Sequence, residues 1–221
     1  MPSVIAAHIA TCLLILSSPS VLCAQDVTRR YTEVHGPHVE TVEYRVYRTG
    51  GDVLASSTGS DSVDSIRWHS GMGTYDWQMT DSKAGSALHG ERTGNVIHVT
   101  GTLKNRSVQR DVKVDPSPWY QIFGPLLEDL LPDGAPQKDF WVVNPDDLSA
   151  HKMQVKRAGA DRITIGGVTL DTFKIHFSPA GALAPFWGAD FWYRQNDRAY
   201  VYSRLPENGG ITVTTIEDTS Q

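Results

Sequence analysis

The sequence predicts a mainly β protein in which one curved antiparallel sheet, a half-barrel, wraps around one kinked helix. The C-terminal stretch 161–218 supports this prediction, because short runs of β-branched and aromatic residues alternate there with turn residues such as Gly166 and Gly167. Similar runs precede that stretch at short spacing, which is typical of an antiparallel meander. Only segment 119–131 carries apolar residues at helical spacing.

The first predicted elements form a hairpin. Residues 39–48 alternate between two faces, the turn Thr49-Gly50-Gly51-Asp52 follows, and residues 53–55 return. The preceding residues 25–37 are predicted to be a polar lead-in. Further strands are expected at 62–68, 74–79, 87–92, 95–100, 107–114, 139–143, 151–157, 162–165, 168–177, 191–193, 200–202 and 211–216.

The single predicted helix covers residues 119–131. Pro125 lies inside it and should kink it or split it, and Pro132 should end it. A helix this apolar must pack against an apolar surface, and we expect that surface to be the inner face of the sheet. We therefore expect one domain over residues 30–218, with this helix inside the curve of the sheet.

Composition limits the class of protein. The chain has 221 residues, 40% of them hydrophobic and 20% charged, which is enough for one domain with a real core. The formal charge of −5 argues against a nucleic-acid partner, since phosphate binding needs a basic face. No apolar run in the body of the chain is long enough to predict a transmembrane helix.

Residues 1–24 are predicted to be a signal peptide. Residues 9–16 form a short apolar region, and the small residues Cys23 and Ala24 precede an abruptly polar segment. The predicted location is the periplasm or the extracellular space; a buried N-terminal helix is the alternative. Lipidation of Cys23 is a third interpretation, but Leu22 and Ser20 depart from the usual lipobox. Both cysteines, Cys12 and Cys23, precede the mature chain, so no disulfide framework is predicted.

The sequence contains no recognisable catalytic motif. It lacks the Gly-x-Ser-x-Gly elbow of α/β-hydrolases, and the predicted mature chain offers no thiol. His35 and His38 are the only closely spaced histidines, and Gly36-Pro37 between them excludes a helical metal site. The neighbouring acids Glu128 and Asp129 are interpreted as charges on the helix surface. We predict no catalytic residue, no metal site and no cofactor.

The aromatic residues are the remaining feature of the sequence that bears on function. They are either ordinary core or the wall of an apolar cavity between helix and sheet, open to an acyl chain or another hydrophobic ligand. The candidate ligand-binding residues are Trp119, Phe123, Leu127, Trp187 and Trp192. The apolar loop 180–187 is interpreted as a rim of that cavity, a lid over the core or a contact for a partner protein.

Several C-terminal phrases resemble a known group of proteins. These phrases are Phe140-Trp141-Val-Val-Asn-Pro145, Arg162-Ile-Thr-Ile-Gly-Gly-Val168, Phe191-Trp-Tyr-Arg194, Arg198-Ala-Tyr-Val-Tyr202 and Gly210-Ile-Thr-Val213. In this pattern and in element order the chain resembles bacterial exported half-barrel proteins of unknown function, which are similar in fold to the lipoprotein carriers LolA and LolB. The resemblance implies a periplasmic, lipid-facing binding protein and transfers no catalytic residue.

Three functional hypotheses follow. The first is a non-enzymatic periplasmic protein that binds a hydrophobic or lipid-like ligand. The second is an envelope interaction protein that docks a partner through a sheet edge or the apolar loop. The third is a hydrolase or lyase with a dispersed site. A ligand-sized cavity under the helix favours the first, a closed core with an apolar patch outside favours the second, and several converging polar groups favour the third.

Overall fold

One large antiparallel sheet forms the body of the protein. The computed structural model describes residues 25–69, 73–121, 124–131, 135–207 and 210–219. The predicted signal peptide, residues 1–24, lies outside these ranges. The fourteen strands are β1 (Gln25–His35), β2 (His38–Thr49), β3 (Asp52–Thr58), β4 (Ser62–His69), β5 (Gly73–Asp81), β6 (Ser86–Thr93), β7 (Val96–Leu103), β8 (Arg106–Lys113), β9 (Gln137–Val143), β10 (Ala150–Ile165), β11 (Val168–Pro179), β12 (Ala189–Arg194), β13 (Tyr200–Glu207) and β14 (Gly210–Ile216).

The strand order explains the shape of the sheet. From edge to edge it runs β8-β7-β6-β5-β4-β3-β2-β1-β14-β13-β12-β11-β10-β9, so two meanders join where β1 pairs with β14. Strands β8 and β9 lie at opposite edges and do not pair, which leaves the sheet a half-barrel rather than a closed barrel. The predicted fold class is confirmed: a mainly β protein built on a curved antiparallel sheet.

The expected polar lead-in at 25–37 is wrong. Its first eleven residues, Gln25–His35, form β1, which pairs along its whole length with β2 and over its second half with β14. The inward side chain of Tyr31 is only 1% exposed, and its hydroxyl donates to the carbonyl of Tyr200 at 3.0 Å. The polar composition hid a strand whose core contribution depends on alternate residues.

The predicted helix 119–131 is also shorter than expected. A 3-10 helix, η1, covers Gly124–Leu130, and Trp119 is extended and forms bridges to two strands. Gly124-Pro125 at its start and Pro132 after it explain the length, since Pro125 lacks an amide hydrogen and Pro132 opposes continuation of the helix. A second 3-10 helix, η2 (Gly181–Phe186), connects β11 to β12. No helix in the described part of the chain is long and apolar enough to cross a membrane.

Candidate functional site

The gap between the two halves of the sheet is crossed by residues 115–121, which follow β8 and which we call the crossing segment. Trp119 bridges to Gly73 at the start of β5 and to Trp141 in β9. Its carbonyl accepts the amide of Thr74 at 2.7 Å, and the amide of Tyr120 donates to the carbonyl of Trp141 at 2.8 Å. This segment therefore joins two strands far apart in the sheet order and covers the outer edge of β9.

Two glycines make room for Trp119: Gly73 lies against its backbone and Gly90 against its indole. A Cβ on Gly73 would lie 2.4 Å from the Trp119 carbonyl oxygen, and the φ of Gly73 is +90°, a conformation that favours glycine. A Cβ on Gly90 would lie 3.1 Å from the Trp119 ring and 2.9 Å from the Trp77 ring. The two indoles meet edge to face at 6.4 Å. The Trp119 side chain is consequently completely buried.

Asp115 fixes the start of the crossing segment. Its carboxylate accepts hydrogen bonds from the indole N–H of Trp141 and from the amide of Ser117, both at 2.8 Å. It also forms an ion pair with Lys152. The hydrogen bond from Lys152, followed by those from Trp141 and Ser117, holds the pKa of Asp115 well below its usual range. The segment is therefore bound to β9 and β10 by charge-assisted hydrogen bonds.

Four of the five predicted ligand-binding residues lie within the described ranges, and all four belong to the hydrophobic core or pack against it. Trp119 and Leu127 are fully buried in the core. Trp187 is partly buried at the η2 loop, where its ring lies 5.4 Å from that of Phe177. Trp192 lies near Tyr202 and donates to Asp161 at 2.8 Å. Phe123 lies outside the described residues, and the predicted ligand contacts stay a prediction.

Aromatic side chains fill the space beneath the crossing segment. Tyr120 packs edge to face on Phe140 at 5.9 Å, and Phe140 stacks on Phe177 at 5.8 Å. All three rings are at most 2% exposed. Interiors packed in this way derive most of their stability from the apolar area that they remove from water. These aromatics act as core, one of the two alternatives that the sequence left open.

The acids of η1 are not exposed surface charges, contrary to the interpretation from the sequence: Glu128 is buried and Asp129 is half-buried. The Glu128 side chain is 5% exposed and pairs with Arg198 from the β12–β13 turn; Asp129 pairs with Arg48 of β2 at 2.7 Å. Burial raises the pKa of both carboxyls, and the arginines oppose that shift. The two ion pairs therefore attach η1 to strand β2 and to the β12–β13 turn.

Two open clefts flank the Glu128–Arg198 pair. The larger, about 570 Å³, is lined by Ala135, Pro136 and Phe173 together with Arg157, Gln195 and this ion pair. The smaller, about 380 Å³, is lined by residues that include Arg48, Trp68 and Asp129. Three or more charged groups thus converge here, as the hydrolase hypothesis requires. Because the two acids are already paired with arginines, the lining fits an anionic group better than it fits acid–base chemistry.

The η2 loop presents an apolar side chain to solvent at the other end of the half-barrel. Phe186 is 83% exposed. The next residue, Trp187, packs on Phe177 and donates its indole N–H to the carbonyl of Pro206 in β13 at 3.2 Å. The partly buried Trp187 therefore anchors the chain directly beside the exposed Phe186.

Further apolar residues continue from this loop across the outer face of the sheet. Pro206 of β13 is the cross-strand partner of Ile211 of β14. Two residues further along β14, Val213 is the partner of Val34 of β1, which in turn is the partner of Val39 of β2. Val39 is 62% and Ile211 is 44% exposed. We call this set the apolar strip: Phe186, Pro206, Ile211, Val213, Val34 and Val39. Large exposed apolar patches commonly mark interaction sites.

The inner face near this end carries two partly buried acids. Asp64 of β4 accepts the indole N–H of Trp77 at 2.8 Å, and burial raises its pKa to about 6. Glu33 of β1 accepts the hydroxyls of Tyr44 and Thr214, both at 3.3 Å. Burial likewise raises the pKa of Glu33, against the effect of these hydrogen bonds. Sequence alternation alone could not show that these acids point inward.

Comparison with solved structures supports the fold. No family model matches the chain, and no curated protein matches it significantly. A crystal structure of a β-barrel-like protein from Brucella abortus, a domain of unknown function named DUF1849, is similar with a TM-score of 0.56 and 8% identity. The match covers 87% of this chain and 98% of that one. At this identity the likeness shows the fold alone.

A second solved structure gives a weaker match. It is a DUF1329 family protein from Desulfovibrio piger, with a TM-score of 0.32 and 12% identity over 88% of this chain and 85% of that one. The match to the Brucella abortus structure alone confirms the predicted resemblance to bacterial proteins of unknown function, and it does so for the overall fold. Similarity to LolA and LolB stays a prediction.

Proposed function

We propose that the protein is an exported envelope protein that acts by binding rather than by catalysis, and that it docks a partner protein through the apolar strip. The observation that carries this proposal is the exposed ring of Phe186, directly beside the anchored Trp187. Rigid aromatic anchors of this kind dominate the energetics of many protein interfaces. The predicted signal peptide supports a periplasmic or secreted location.

The apolar strip is a better docking site than either edge of the sheet. The β8 edge carries Arg106, Arg110 and Lys113, and charged residues at an edge oppose the addition of another strand. The β9 edge is already covered, because the amide of Trp141 donates to Pro118 and the amide of Val143 donates to the side chain of Gln121. Of the two modes in the interaction hypothesis, docking through the loop is therefore favoured.

The charges beside the apolar strip favour a protein over a membrane surface. Arg204 and Lys174 are accompanied by Asp190, which is the cross-strand partner of Arg204 and lies 3.6 Å from Lys174. The chain as a whole has a formal charge of −5. Anionic membranes recruit clusters of about four to eight basic residues, which this mixed surface does not provide.

Site-specific photo-crosslinking tests the proposal. A photoreactive phenylalanine analogue is placed at Phe186 or, as a control, at Val168, which is 45% exposed in the distant β10–β11 turn. We expect one crosslinked protein specific to position 186. The purified partner should bind Phe186→Ser at least tenfold more weakly than the wild type, and Val168→Ser unchanged. Equal crosslinking at both positions, or unchanged binding by Phe186→Ser, would refute docking through this loop.

The cleft beside Glu128 favours a second candidate, a lipid-like ligand with an anionic head group. It combines the Phe173 ring with the guanidinium of Arg157, whose Nε has no hydrogen-bond partner in the described residues. Native mass spectrometry before and after delipidation tests this candidate. A bound lipid that is lost in Arg157→Gln and retained in Phe186→Ser would favour the cleft; the absence of any lipid in the wild type would argue against it.

A further inference from the structure

Three potential metal ligands meet on the outer face of the sheet, away from both surfaces described above. Asp76 lies on β5, and His89 and Glu91 lie two residues apart on β6, so that both β6 side chains point to the same side. Asp76 and Glu91 are direct cross-strand partners. One ligand atom from each residue lies within 4.8 Å of the others. The sequence predicted no metal site, because nothing in it aligns Asp76 with the His89-Gly-Glu91 triplet.

The distances suit a small divalent cation. His89 Nε2 lies 3.0 Å from Asp76 Oδ2 and 3.6 Å from Glu91 Oε1. Zinc binds imidazole nitrogen at about 2.0–2.1 Å and carboxylate oxygen at about 2.0–2.2 Å, so neighbouring ligand atoms of a tetrahedral site lie roughly 3.4 Å apart. The two observed separations lie on either side of that value, and the ligands need only small movements to coordinate one ion.

The two carboxylates of the cluster also favour binding of a cation between them. Two carboxylates directly opposite each other on adjacent strands repel, and here both approach the same imidazole nitrogen. Strands β5 and β6 lie inside the sheet, between β4 and β7, so the backbone holds the acids in place. A cation between the acids would relieve their repulsion.

The groups that face the cluster from the neighbouring strands are few. Arg67 of β4 is the cross-strand neighbour of Asp76, although no ion pair within 4.0 Å joins them in the described part of the chain. His98 of β7 is the neighbour of Glu91, and its Nδ1 lies 2.8 Å from Asp111 of β8. Arg67 competes with a bound cation for Asp76, whereas His98 is already engaged by its own acid.

We propose that Asp76, His89 and Glu91 form a binding site for a borderline divalent transition-metal ion, with Zn²⁺ as the representative. One imidazole and two carboxylates suit zinc better than Mg²⁺ or Ca²⁺, which prefer an all-oxygen environment. Three protein ligands leave a fourth position for water or for a group from another molecule. The site is independent of the docking proposed above.

Isothermal titration of the metal-free full chain with ZnCl₂ tests the site. We expect one Zn²⁺ per chain to bind here, and His89→Ala and Glu91→Gln each to weaken binding at least tenfold. His176→Ala is the matched control: its side chain is 42% exposed against 41% for His89, and it also has an aspartate partner, Asp190 at 2.7 Å. This control should bind Zn²⁺ like the wild type.

A spectroscopic measurement separates a defined site from loss of folding or from adventitious binding. Bound Co²⁺ should absorb more strongly in the visible than aqueous Co²⁺ in the wild type and in His176→Ala, and this enhancement should be absent in Glu91→Gln, a nearly isosteric change. Unchanged Zn²⁺ affinity in both His89→Ala and Glu91→Gln would overturn the proposal. Equal weakening in His176→Ala would do the same, because it would show that any surface histidine suffices.

Discussion

The partly buried carboxylate of Asp64 should make the stability of the protein depend on pH. This carboxylate faces the buried indole of Trp77, and burial raises its pKa from 3.8 to about 6. Between these two values the folded state binds more protons than the unfolded state, so the stability supplied by this group is present at low pH and falls as pH rises. The full difference corresponds to about 3 kcal/mol, which we reduce to roughly 1–3 kcal/mol because the side chain is only partly buried.

The substitution Asp64→Asn removes the charge and keeps an oxygen that accepts the Trp77 N–H. We therefore expect the variant to be more stable than the wild type by about 1–3 kcal/mol at pH 7. The difference should shrink between pH 6 and pH 4 and vanish below pH 4. Urea unfolding from pH 3.5 to pH 8, followed by tryptophan fluorescence, measures it, provided that the m-values of the two proteins agree.

A control variant isolates the hydrogen bond from the charge. Relative to Asp64→Asn, which is also uncharged, Asp64→Leu leaves the indole N–H of the fully buried Trp77 without an acceptor, and this should cost about 1–3 kcal/mol at every pH. If the difference between wild type and Asp64→Asn did not change with pH, or if the variant were the less stable protein at pH 7, the argument from burial would be wrong.

Three further predictions concern the crossing segment and η1. Trp119→Ala should lower the free energy of unfolding by about 3–5 kcal/mol in thermal melts; a small loss combined with reduced ligand uptake would instead show that the ring lines a cavity. Gly73→Ala should destabilise the protein more than Gly94→Ala, because only the Gly73 Cβ would clash, while both residues have positive φ. Arg198→Ala should cost about 1–3 kcal/mol in urea titrations, since it leaves the buried Glu128 carboxylate without its half-exposed partner; an unchanged free energy of unfolding would contradict that role.

Local signals were sufficient for most of the strands. The hairpin turn at Gly50-Gly51 and the turn at Gly166-Gly167 lie where the sequence places them. Gly50, Gly166 and Gly167 have positive φ, the conformation for which two-residue turns favour glycine. The strand β1 was missed because only alternate residues face the core, so a segment that begins Gln-Asp-Val-Thr-Arg-Arg reads as polar.

The limits of the helix could not be found from periodicity. Trp119, Tyr120 and the leucines of η1 all enter the core, but Trp119 does so from an extended segment and the leucines do so from a 3-10 helix. Apolar residues at close spacing indicate burial without specifying the backbone that achieves it. The metal-ligand cluster and the ion pairs of η1 depend on strand register and chain crossings, which no local pattern encodes.

The free-energy cost of binding differs between the two ends of the half-barrel, and this difference favours the η2 end as the proposed docking site. A ligand that entered beneath η1 would displace Leu126, Leu127, Leu130 and Leu131, each at most 5% exposed. At about 1.5–3 kcal/mol per buried leucine this amounts to roughly 6–12 kcal/mol, before the ion pairs of Glu128 and Asp129 are broken. Micromolar to nanomolar binding supplies only about 8–12 kcal/mol. Contact at the exposed Phe186 leaves this packing intact, so the proposed docking at the η2 end costs less free energy than a ligand beneath η1 would.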